Sequence, residues 1–336
     1  MAMRAVVVID DLRELEIRPR ELFDSYVELL RRDVVQFFGD RTQLVEIPCP
    51  GCKQWNQGMA FEKFGLRYVE CQRCLTVYLS PRPALDALGA YYLHGESVKF
   101  WDQRIMKETD KGRREHVFKQ RLEWLIDFAD EFLPRPRGLL DWKSKYVSFL
   151  EELDRAKAFE SIGAARPTSE VREACGRLGI PVAEKQDDHT TVSAVTAFEV
   201  LEREFDPQEC LQDIHAWLPS GGLLFLTTRS ISGFDVQVLW DRAKNILPPS
   251  HINMFSVEAL QQILLDRGFE VLELSTPGQL DVEIVWNALQ EEPDIPLPRF
   301  VSYLLRHRTA DAYQSLQEFL QRYRLSSHVR LVCKKS

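Results

Sequence analysis

The sequence predicts an α/β fold in which a parallel sheet is covered by helices on both faces. Between residues 138 and 275, strand patterns alternate with helix patterns, as in sheets whose parallel strands are joined by helical crossovers. Residues 138–153, GLLDWKSKYVSFLEEL, hold an apolar run near Asp141, a turn, and then apolar residues at helical spacing. Ligands usually bind at the carboxyl ends of such strands, so the loop after Asp141 is the expected site.

The individual elements follow from the apolar periodicity of each segment. Strands are predicted at residues 139–142, 158–163, 180–184, 192–197, 223–228 and 270–275. Helices are predicted at residues 146–153, 169–178, 208–218 and 257–266. The chain then adds residues 281–289, helices near residues 298–306 and 310–322, and a closing strand at residues 328–333.

Residues 1–46 are predicted to form an N-terminal extension. A short apolar run at residues 5–9 predicts a strand, and residues 19–38 predict an amphipathic helix. Packing of this helix on the body of the protein is favoured, and a dimer contact remains the alternative. Residues 81–137 are predicted to form a helical connector, and residues 138–336 the α/β domain.

The cysteines are the most specific feature of residues 47–80. Two CxxC pairs are separated by eighteen residues, and their members are Cys49, Cys52, Cys71 and Cys74. This spacing is typical of zinc sites, and four thiolates complete a tetrahedral structural site with no open position for catalysis. We therefore predict a zinc ribbon whose metal has a folding role. Four unrelated free cysteines are the alternative interpretation.

Composition and charge limit the class of partner. The net charge is −8, the pI is about 5.5, and no basic run stands out, so nucleic acid is not an expected partner. No apolar run approaches the length of a membrane span, and the acidic start does not fit a signal peptide. The expected location is the cytoplasm, and the expected partners are small molecules or proteins. No sequence feature sets an oligomeric state.

Several segments match one family in their order and spacing. They are the strand and loop around Asp141, AVTAFEVLEREFDP at residues 194–207, LPSGG at residues 218–222, PPSHINMF at residues 248–255 and GFEV at residues 268–271. Together with the ribbon cysteines, they resemble the zinc-ribbon-containing class I S-adenosylmethionine (SAM) methyltransferases that modify sugars and cell-surface glycans. The resemblance implies a Rossmann-like sheet whose last strand inserts antiparallel.

The resemblance also implies where a cofactor and a catalytic pair would lie. The family's cofactor-binding positions correspond to Asp141, Lys143, Lys145, Arg166 and Glu199, and its catalytic positions to Glu202 and His251. Structural interpretations of the same residues stay open. Asp141 could only orient the loop, Glu199 and Glu202 could be solvated carboxylates at a strand end, and His251 could be a packed histidine. Lys143, Lys145 and Arg166 could be surface charges, or a cationic mouth for a phosphorylated ligand or an acidic partner.

The departures from the family pattern fall on its chemistry. Lys143, Lys145 and Val147 stand where the family has glycines that let the backbone approach the cofactor. Arg166 stands where the family has an acid that accepts hydrogen bonds from the ribose, and arginine is only a donor. Arg203 replaces a histidine that can take part in proton transfer, and arginine keeps its proton at working pH.

Two functions follow from this contrast. One is a SAM-methyltransferase-fold protein with a degraded pocket, in effect a pseudoenzyme that acts as a binding or partner protein. The other is an active SAM-dependent methyltransferase on a sugar nucleotide or a surface-glycan precursor. The substitutions favour the first, so we expect SAM to bind weakly or not at all.

Overall fold

The computed structural model describes residues 6–184 and 192–336. The strands are β1 (Leu44–Val45), β2 (Gln57–Lys63), β3 (Leu66–Cys71), β4 (Val77–Leu79), β5 (Arg82–Pro83), β6 (Gly138–Trp142), β7 (Ser161–Ala165), β8 (Val182–Ala183), β9 (Ala194–Phe198), β10 (Leu223–Arg229), β11 (Asn253–Met254), β12 (Phe269–Ser275) and β13 (His328–Lys335).

The helices are α1 (Glu14–Ile17), α2 (Arg20–Phe38), α3 (Leu85–His94), α4 (Glu96–Phe100), α5 (Met106–Glu108), α6 (Asp110–Arg113), α7 (Lys119–Phe132), α8 (Val147–Ala156), α9 (Ser169–Leu178), α10 (Pro207–Trp217), α11 (Phe234–Leu239), α12 (Val257–Asp266), α13 (Asp281–Glu291), α14 (Arg299–His307) and α15 (Ala310–Arg322). Short 3-10 turns lie at Arg41–Gln43, Leu201–Arg203 and Trp240–Arg242, and π turns at Trp101–Ile105 and Arg114–Phe118. No helix of these described residues is long and apolar enough to cross a bilayer.

The main sheet has seven strands in the order β12-β13-β10-β9-β6-β7-β8. Strands β6 to β10 pair in parallel, whereas β13 pairs antiparallel with both β10 and β12. Every residue of β6 is buried, as expected for a parallel strand with helices on both faces. The predicted Rossmann-like methyltransferase sheet, including its inserted antiparallel last strand, is confirmed.

Alternate residues of β6 belong to two different cores. Leu140 packs in a cluster with buried residues of α10 and α12, and Leu139 packs in a cluster with α7, α8 and α9. This follows from the two-residue repeat of a strand. The helices therefore cover both faces of the sheet, and the carboxyl edge of β6, β9 and β10 is left for the loops.

A third core closes over that edge. It joins the apolar side of α2 to α3, the strands β2–β4 and the segments that follow β10 and β12. Phe23, Tyr26, Leu30, Val34 and Phe38 of α2 are buried in this way. Asp33 of α2 also accepts hydrogen bonds from the first backbone amides of α4. The prediction that this helix packs within the chain is confirmed.

Two strand predictions differ from the structure. The predicted strand at residues 5–9 begins with Ala5, which lies outside the described residues, and residues 6–9 form no strand. Instead, the Gln321 side chain accepts from Val8 N–H and donates to its carbonyl, and Ile9 is 66% exposed. The strand predicted at residues 158–163 is β7, which begins at Ser161 because this residue pairs with Gly138 of β6.

Candidate functional site

The loop after β6 keeps a backbone path that suits glycine. Lys143 has φ of +49°, in the left-handed region that residues with a Cβ rarely adopt. Its ammonium contacts both carboxylate oxygens of Glu204 at 2.6 Å. The loop therefore follows the course expected of a glycine turn while carrying a lysine that is already paired.

Asp141 is used within the protein. One oxygen accepts from Thr196 Oγ1 on β9 at 2.6 Å, and the other accepts from the Ser144 hydroxyl in the loop. Burial raises the pKa of Asp141 to about 6 despite these two donors. Both oxygens hold the loop against β9, which favours the interpretation that Asp141 orients the loop.

Lys145 crosses from the loop to the end of β9. Its Nζ donates to the backbone carbonyl of Glu199 at 2.7 Å. Burial, together with the nearby Arg203 guanidinium, lowers the pKa of Lys145 to about 7. The side chain of Lys145 therefore occupies the space between the loop and the end of β9.

The Glu199 carboxylate is engaged on both oxygens. It forms an ion pair with Arg121 of α7 and accepts from Tyr146 Oη and from Thr227 Oγ1, each at 2.8 Å. Burial alone would raise its pKa, but Arg121 and Lys145 hold the pKa well below the usual range of a glutamate. Glu199 is thus a partly buried carboxylate that is ionised and paired within the protein.

Arg166 lies just past β7, also with a positive φ of +47°. Its Nη1 donates to Asp213 of α10 at 3.0 Å, and its guanidinium lies over the Trp142 ring, 4.9 Å from the centroid. Lys143, Lys145 and Arg166 each have a partner inside the protein. These pairings favour a structural role for the three side chains, and the cationic mouth stays a prediction.

Glu202 and His251 are brought to the same part of the molecule. Glu202 is buried and accepts from Thr228 Oγ1 at 2.8 Å, and its backbone carbonyl accepts from Ile252 N–H at 2.9 Å. His251 Nδ1 lies 3.2 Å from Leu247 N–H, which it accepts when the proton is on Nε2. Burial and the surrounding arginines lower the pKa of His251 well below its usual value, so the imidazole is neutral.

Sequence reasoning missed several charged residues around this edge. Arg121 comes from the connector helix α7, Arg229 ends β10, and His328 begins β13. Burial and Arg121 lower the pKa of His328 to about 3. An arginine in a helix pattern gives no signal that it will reach a distant strand end. Arg229 does carry a sequence signal, because its segment TTRS at residues 227–230 departs from the TTPN of the family that the chain resembles.

The four ribbon cysteines form a compact cluster. All four sulfurs lie within 4.8 Å of one another, and the pairs Cys49–Cys74 and Cys52–Cys71 are each 3.5 Å apart. Zinc–thiolate bonds of about 2.3 Å in a tetrahedron place the sulfurs about 3.8 Å apart. The cluster therefore fits a zinc ion, which these four cysteines could bind.

The two CxxC turns repeat one backbone design. In each turn the first cysteine donates its N–H to a carbonyl five residues later, at 2.9 Å, and its own carbonyl accepts from the N–H four residues later. The residue at that fourth position, Lys53 or Leu75, has a positive φ near +58°. Matching turns aim both pairs of sulfurs at a common centre.

The ribbon is joined to the α/β part of the chain. Strand β11 completes a four-stranded sheet by pairing with β4. The Gln208 side chain of α10 donates to the carbonyls of Pro50 and Gly51, and Ser256 Oγ donates to the Cys74 carbonyl at 2.6 Å. The segment around His251 is thus held partly by the ribbon.

Comparisons with known proteins agree with this architecture. Residues 114–274 match a family model described as a methyltransferase domain. A search of the curated proteins found no match.

Solved structures similar to this chain include three methyltransferases. The plantazolicin methyltransferase BamL in complex with a triazolic desmethylPZN analog and SAH is 10% identical, with a TM-score of 0.47, covering 74% of this chain and 94% of its own. An S-adenosylmethionine dependent methyltransferase from Mesorhizobium loti is 12% identical, with a TM-score of 0.40, and the match covers 65% of this chain and 100% of that one. Coclaurine N-methyltransferase bound to N-methylheliamine and SAH is 14% identical, with a TM-score of 0.39, and the match covers 64% of this chain and 71% of that one. The strand order is that of a Rossmann-like methyltransferase fold, and residues 114–274 of that fold are similar to a methyltransferase domain.

Proposed function

We propose that this chain is a SAM-methyltransferase-fold protein that has lost its SAM pocket and acts as a non-catalytic binding or partner protein. The observation that carries the proposal is the position of Lys145, whose ammonium reaches Glu199 O at 2.7 Å across the loop. In the resembling family the cofactor lies over this loop. A side chain in that space has to leave before SAM can enter.

The ribose position supports the same conclusion. The resemblance requires an acceptor at Arg166, which instead presents a guanidinium paired with Asp213. Losing charge-assisted hydrogen bonds to the ribose costs about 1.5–3 kcal/mol. Together with the block by Lys145, this weakens a micromolar site to millimolar or worse, since each 1.4 kcal/mol is about tenfold.

The test is to rebuild the family pattern in the full chain. Lys143, Lys145 and Val147 are changed to Gly and Arg166 to Glu, and SAM is titrated calorimetrically into this variant and into the unmodified protein. We expect the variant to bind at least about tenfold more tightly, because the block is gone and the acceptor is restored. Lys157→Gly is the matched control, since Lys157 has the same φ of +49° but ends α8.

Equal affinity in the variant and the unmodified protein would show that these four residues do not exclude SAM. Micromolar binding by the unmodified protein would favour the second candidate, an active SAM-dependent methyltransferase on a sugar nucleotide or surface-glycan precursor. That candidate is supported by the family match and by the placement of Glu202 and His251, its proposed catalytic residues, at one strand edge.

Zinc has a structural role in this proposal. Cys49, Cys52, Cys71 and Cys74 supply four thiolates, which leaves no position for a substrate or water. The metal would hold the two CxxC turns together and, through them, strand β11. None of the seven cysteines forms a disulfide, which supports a reducing compartment such as the cytoplasm. The proposed partner is a small molecule, such as a sugar nucleotide or glycan, or another protein.

A further inference from the structure

Residues 8–18, the N-terminal strap, lie on the protein without a buried side chain. None of these residues is buried, and Ile9 and Leu15 are 66% and 59% exposed. Helix α2, which follows the strap, differs because it buries a complete apolar side. Polar contacts therefore hold the strap, and a segment held in this way opens at a lower free energy than the core.

On one side the strap is fastened to the connector helices. Arg113 of α6 donates to the carbonyl of Ile17 at 2.8 Å. His116, in the π turn that leads into α7, has its Nδ1 2.7 Å from Asp10 Oδ2. Gln120 of α7 donates to the same oxygen of Asp10 at 2.7 Å. Asp10 is therefore the main point at which the connector holds the strap.

On the other side the strap is fastened to α13 and α15. The backbone N–H of Glu14 donates to Glu283 Oε1 at 3.1 Å, and Asn287 donates to the Glu14 carboxylate at 2.8 Å. The Gln321 side chain of α15 holds both backbone groups of Val8. The strap thus joins two groups of helices that are distant in the chain.

These two groups of helices flank the carboxyl edge of the sheet. On the connector side, Arg121 of α7 pairs with Glu199 just past β9. On the other side, Asp281, which begins α13, accepts from Ser327 N–H at 2.7 Å, and the next residue of the chain begins β13 opposite the end of β10. The strap therefore crosses the edge at which open α/β sheets bind their ligands.

His116 faces a carboxylate of the strap with each ring nitrogen. Its Nδ1 lies 2.7 Å from Asp10 Oδ2, and its Nε2 lies 3.8 Å from Glu16 Oε1. Only a protonated imidazole carries a hydrogen on both nitrogens, so a neutral ring turns a lone pair towards one of the carboxylates. The hydrogen bond with Asp10 raises the pKa of His116 above its ordinary value.

The other charges around His116 support this contact. Glu115 of the same turn adds to the negative field at the imidazole. Arg113 is engaged with the strap carbonyl, and Arg114 pairs with the carboxylates of Asp110, Glu151 and Glu152. Burial alone would raise the pKa of Asp10, but its hydrogen bond with His116 lowers it. Asp10 therefore stays ionised while His116 titrates.

We propose that the strap is a pH-controlled clasp across the carboxyl edge, closed while His116 is protonated and released when His116 loses its proton. A histidine whose pKa is raised in the folded protein stabilises the closed strap fully below its ordinary pKa, and this contribution is lost as pH rises through the raised value. Release opens the edge from the side that the strap crosses. This inference goes beyond the proposed function and does not depend on which ligand binds.

The experiment measures amide hydrogen exchange in the full chain, for the unmodified protein and His116→Gln, at about pH 6 and about pH 9. The N–H groups of Val8, Glu14 and Arg18 report on the strap because each has an acceptor when it is closed. The ratio of the two proteins' rates removes the intrinsic effect of pH. At the lower pH the variant should exchange about tenfold faster, because a charged hydrogen bond is lost. At the higher pH the ratio should be about one, since glutamine and neutral imidazole can each donate to Asp10.

Asp10→Asn removes the same contact from the strap side. It should reproduce the faster exchange at the lower pH, and adding His116→Gln to it should have little further effect. If His116→Gln does not fold, Asp10→Asn carries the test. His94→Gln is the matched control, because His94 is an exposed histidine at the end of α3. It should exchange like the unmodified protein at both pH values.

An equal ratio at the two pH values would overturn the inference, because the contact would not depend on the charge of His116. Faster exchange at Arg18 alone, with Val8 and Glu14 unchanged, would overturn it as well, since the strap would then not act across the edge. A third check is the NMR titration of His116. A pKa at or below the ordinary histidine value would contradict the clasp.

Discussion

The CxxC turns and the loop after β6 are both short turns whose backbone includes a positive φ. They differ in whether their side chains match the pattern of the family that the chain resembles. In the ribbon, Lys53 and Leu75 adopt the left-handed conformation, and all four cysteines point to one centre. In the loop, Lys143 adopts the same conformation, but lysines stand at the positions where the family needs no side chain. A preserved backbone path therefore does not imply preserved chemistry.

The difference has a physical cause. A metal site depends on side-chain atoms, so a single substitution removes it, whereas a fold depends on burial and pairing that tolerate lysine at a turn. Glu204 and the Glu199 carbonyl each give a loop lysine a partner. Asp141 also fixes the loop to β9.

The largest expected effect comes from breaking the ribbon. Cys71→Ser should reduce zinc from one ion per chain to none and lower the free energy of unfolding by several kcal/mol, on the order expected for a structural zinc. The ribbon shares β4–β11 pairing with the α/β part. Hydrogen exchange should therefore accelerate at residues 248–256 as well as at residues 47–80.

Cys175→Ser is the matched control, because Cys175 is a buried cysteine of α9 outside the cluster. It should keep its zinc. Carefully prepared unmodified protein without zinc would contradict the assignment. If Cys71→Ser accelerates hydrogen exchange only at residues 47–80, β11 does not depend on the metal.

The next effect concerns Asp141, whose pKa in the folded protein, about 6, lies above the ordinary value of 3.8 for an aspartate because the carboxyl is buried. The protonated form is favoured in the folded state, so its contribution is greatest below pH 4 and is lost as pH rises through 6. Relative to the unmodified protein, Asp141→Asn should gain up to about 3 kcal/mol in unfolding free energy between pH 4 and pH 7. Urea unfolding at both pH values measures this gain.

Asp154→Asn, on α8, serves as the control and should show no such change relative to the unmodified protein. A pH-independent difference for Asp141→Asn would mean that Asp141 is ionised with an ordinary pKa. It would then be available to a ligand, and the structural interpretation of the loop would be wrong.

The smallest effect compares the two left-handed lysines directly. Lys53→Gly and Lys143→Gly each relieve a backbone strain of about 1 kcal/mol that comes from the positive φ. Each also loses an ion pair worth about 0–1 kcal/mol, which joins Lys53 to Asp206 and Lys143 to Glu204. Both variants should unfold within about 1 kcal/mol of the unmodified protein in denaturant. A markedly larger loss for Lys143→Gly would show that the pair with Glu204 holds the loop in place.

Most of the fold could be predicted from the sequence because its signals are local. The helices α9, α12 and α15 begin and end at the predicted residues, and the closing strand β13 was found two residues longer. The strand predicted at residues 5–9 was wrong because an apolar run forms a strand only where a neighbouring strand can pair with its backbone. The backbone of Val8 instead hydrogen-bonds to the Gln321 side chain.

The charged edge of the sheet was harder to predict because its partners are distant in the chain. Arg121 reaches Glu199 across 78 residues. Sequence comparison marked Arg166 and Lys145 as substituted positions but gave no indication that each would find a partner inside the protein. That the buried Nε of Arg203 has no hydrogen-bond partner among the described residues required the structure.

The measurement that tests the central claim most directly is a calorimetric titration of the unmodified, zinc-loaded protein with SAM and S-adenosylhomocysteine. Because Lys145 reaches from the loop to the Glu199 carbonyl and Arg166 offers no acceptor, we predict dissociation constants in the millimolar range or no measurable heat. Micromolar binding of either compound would contradict the account, because it would require Lys145 to leave Glu199 at little cost.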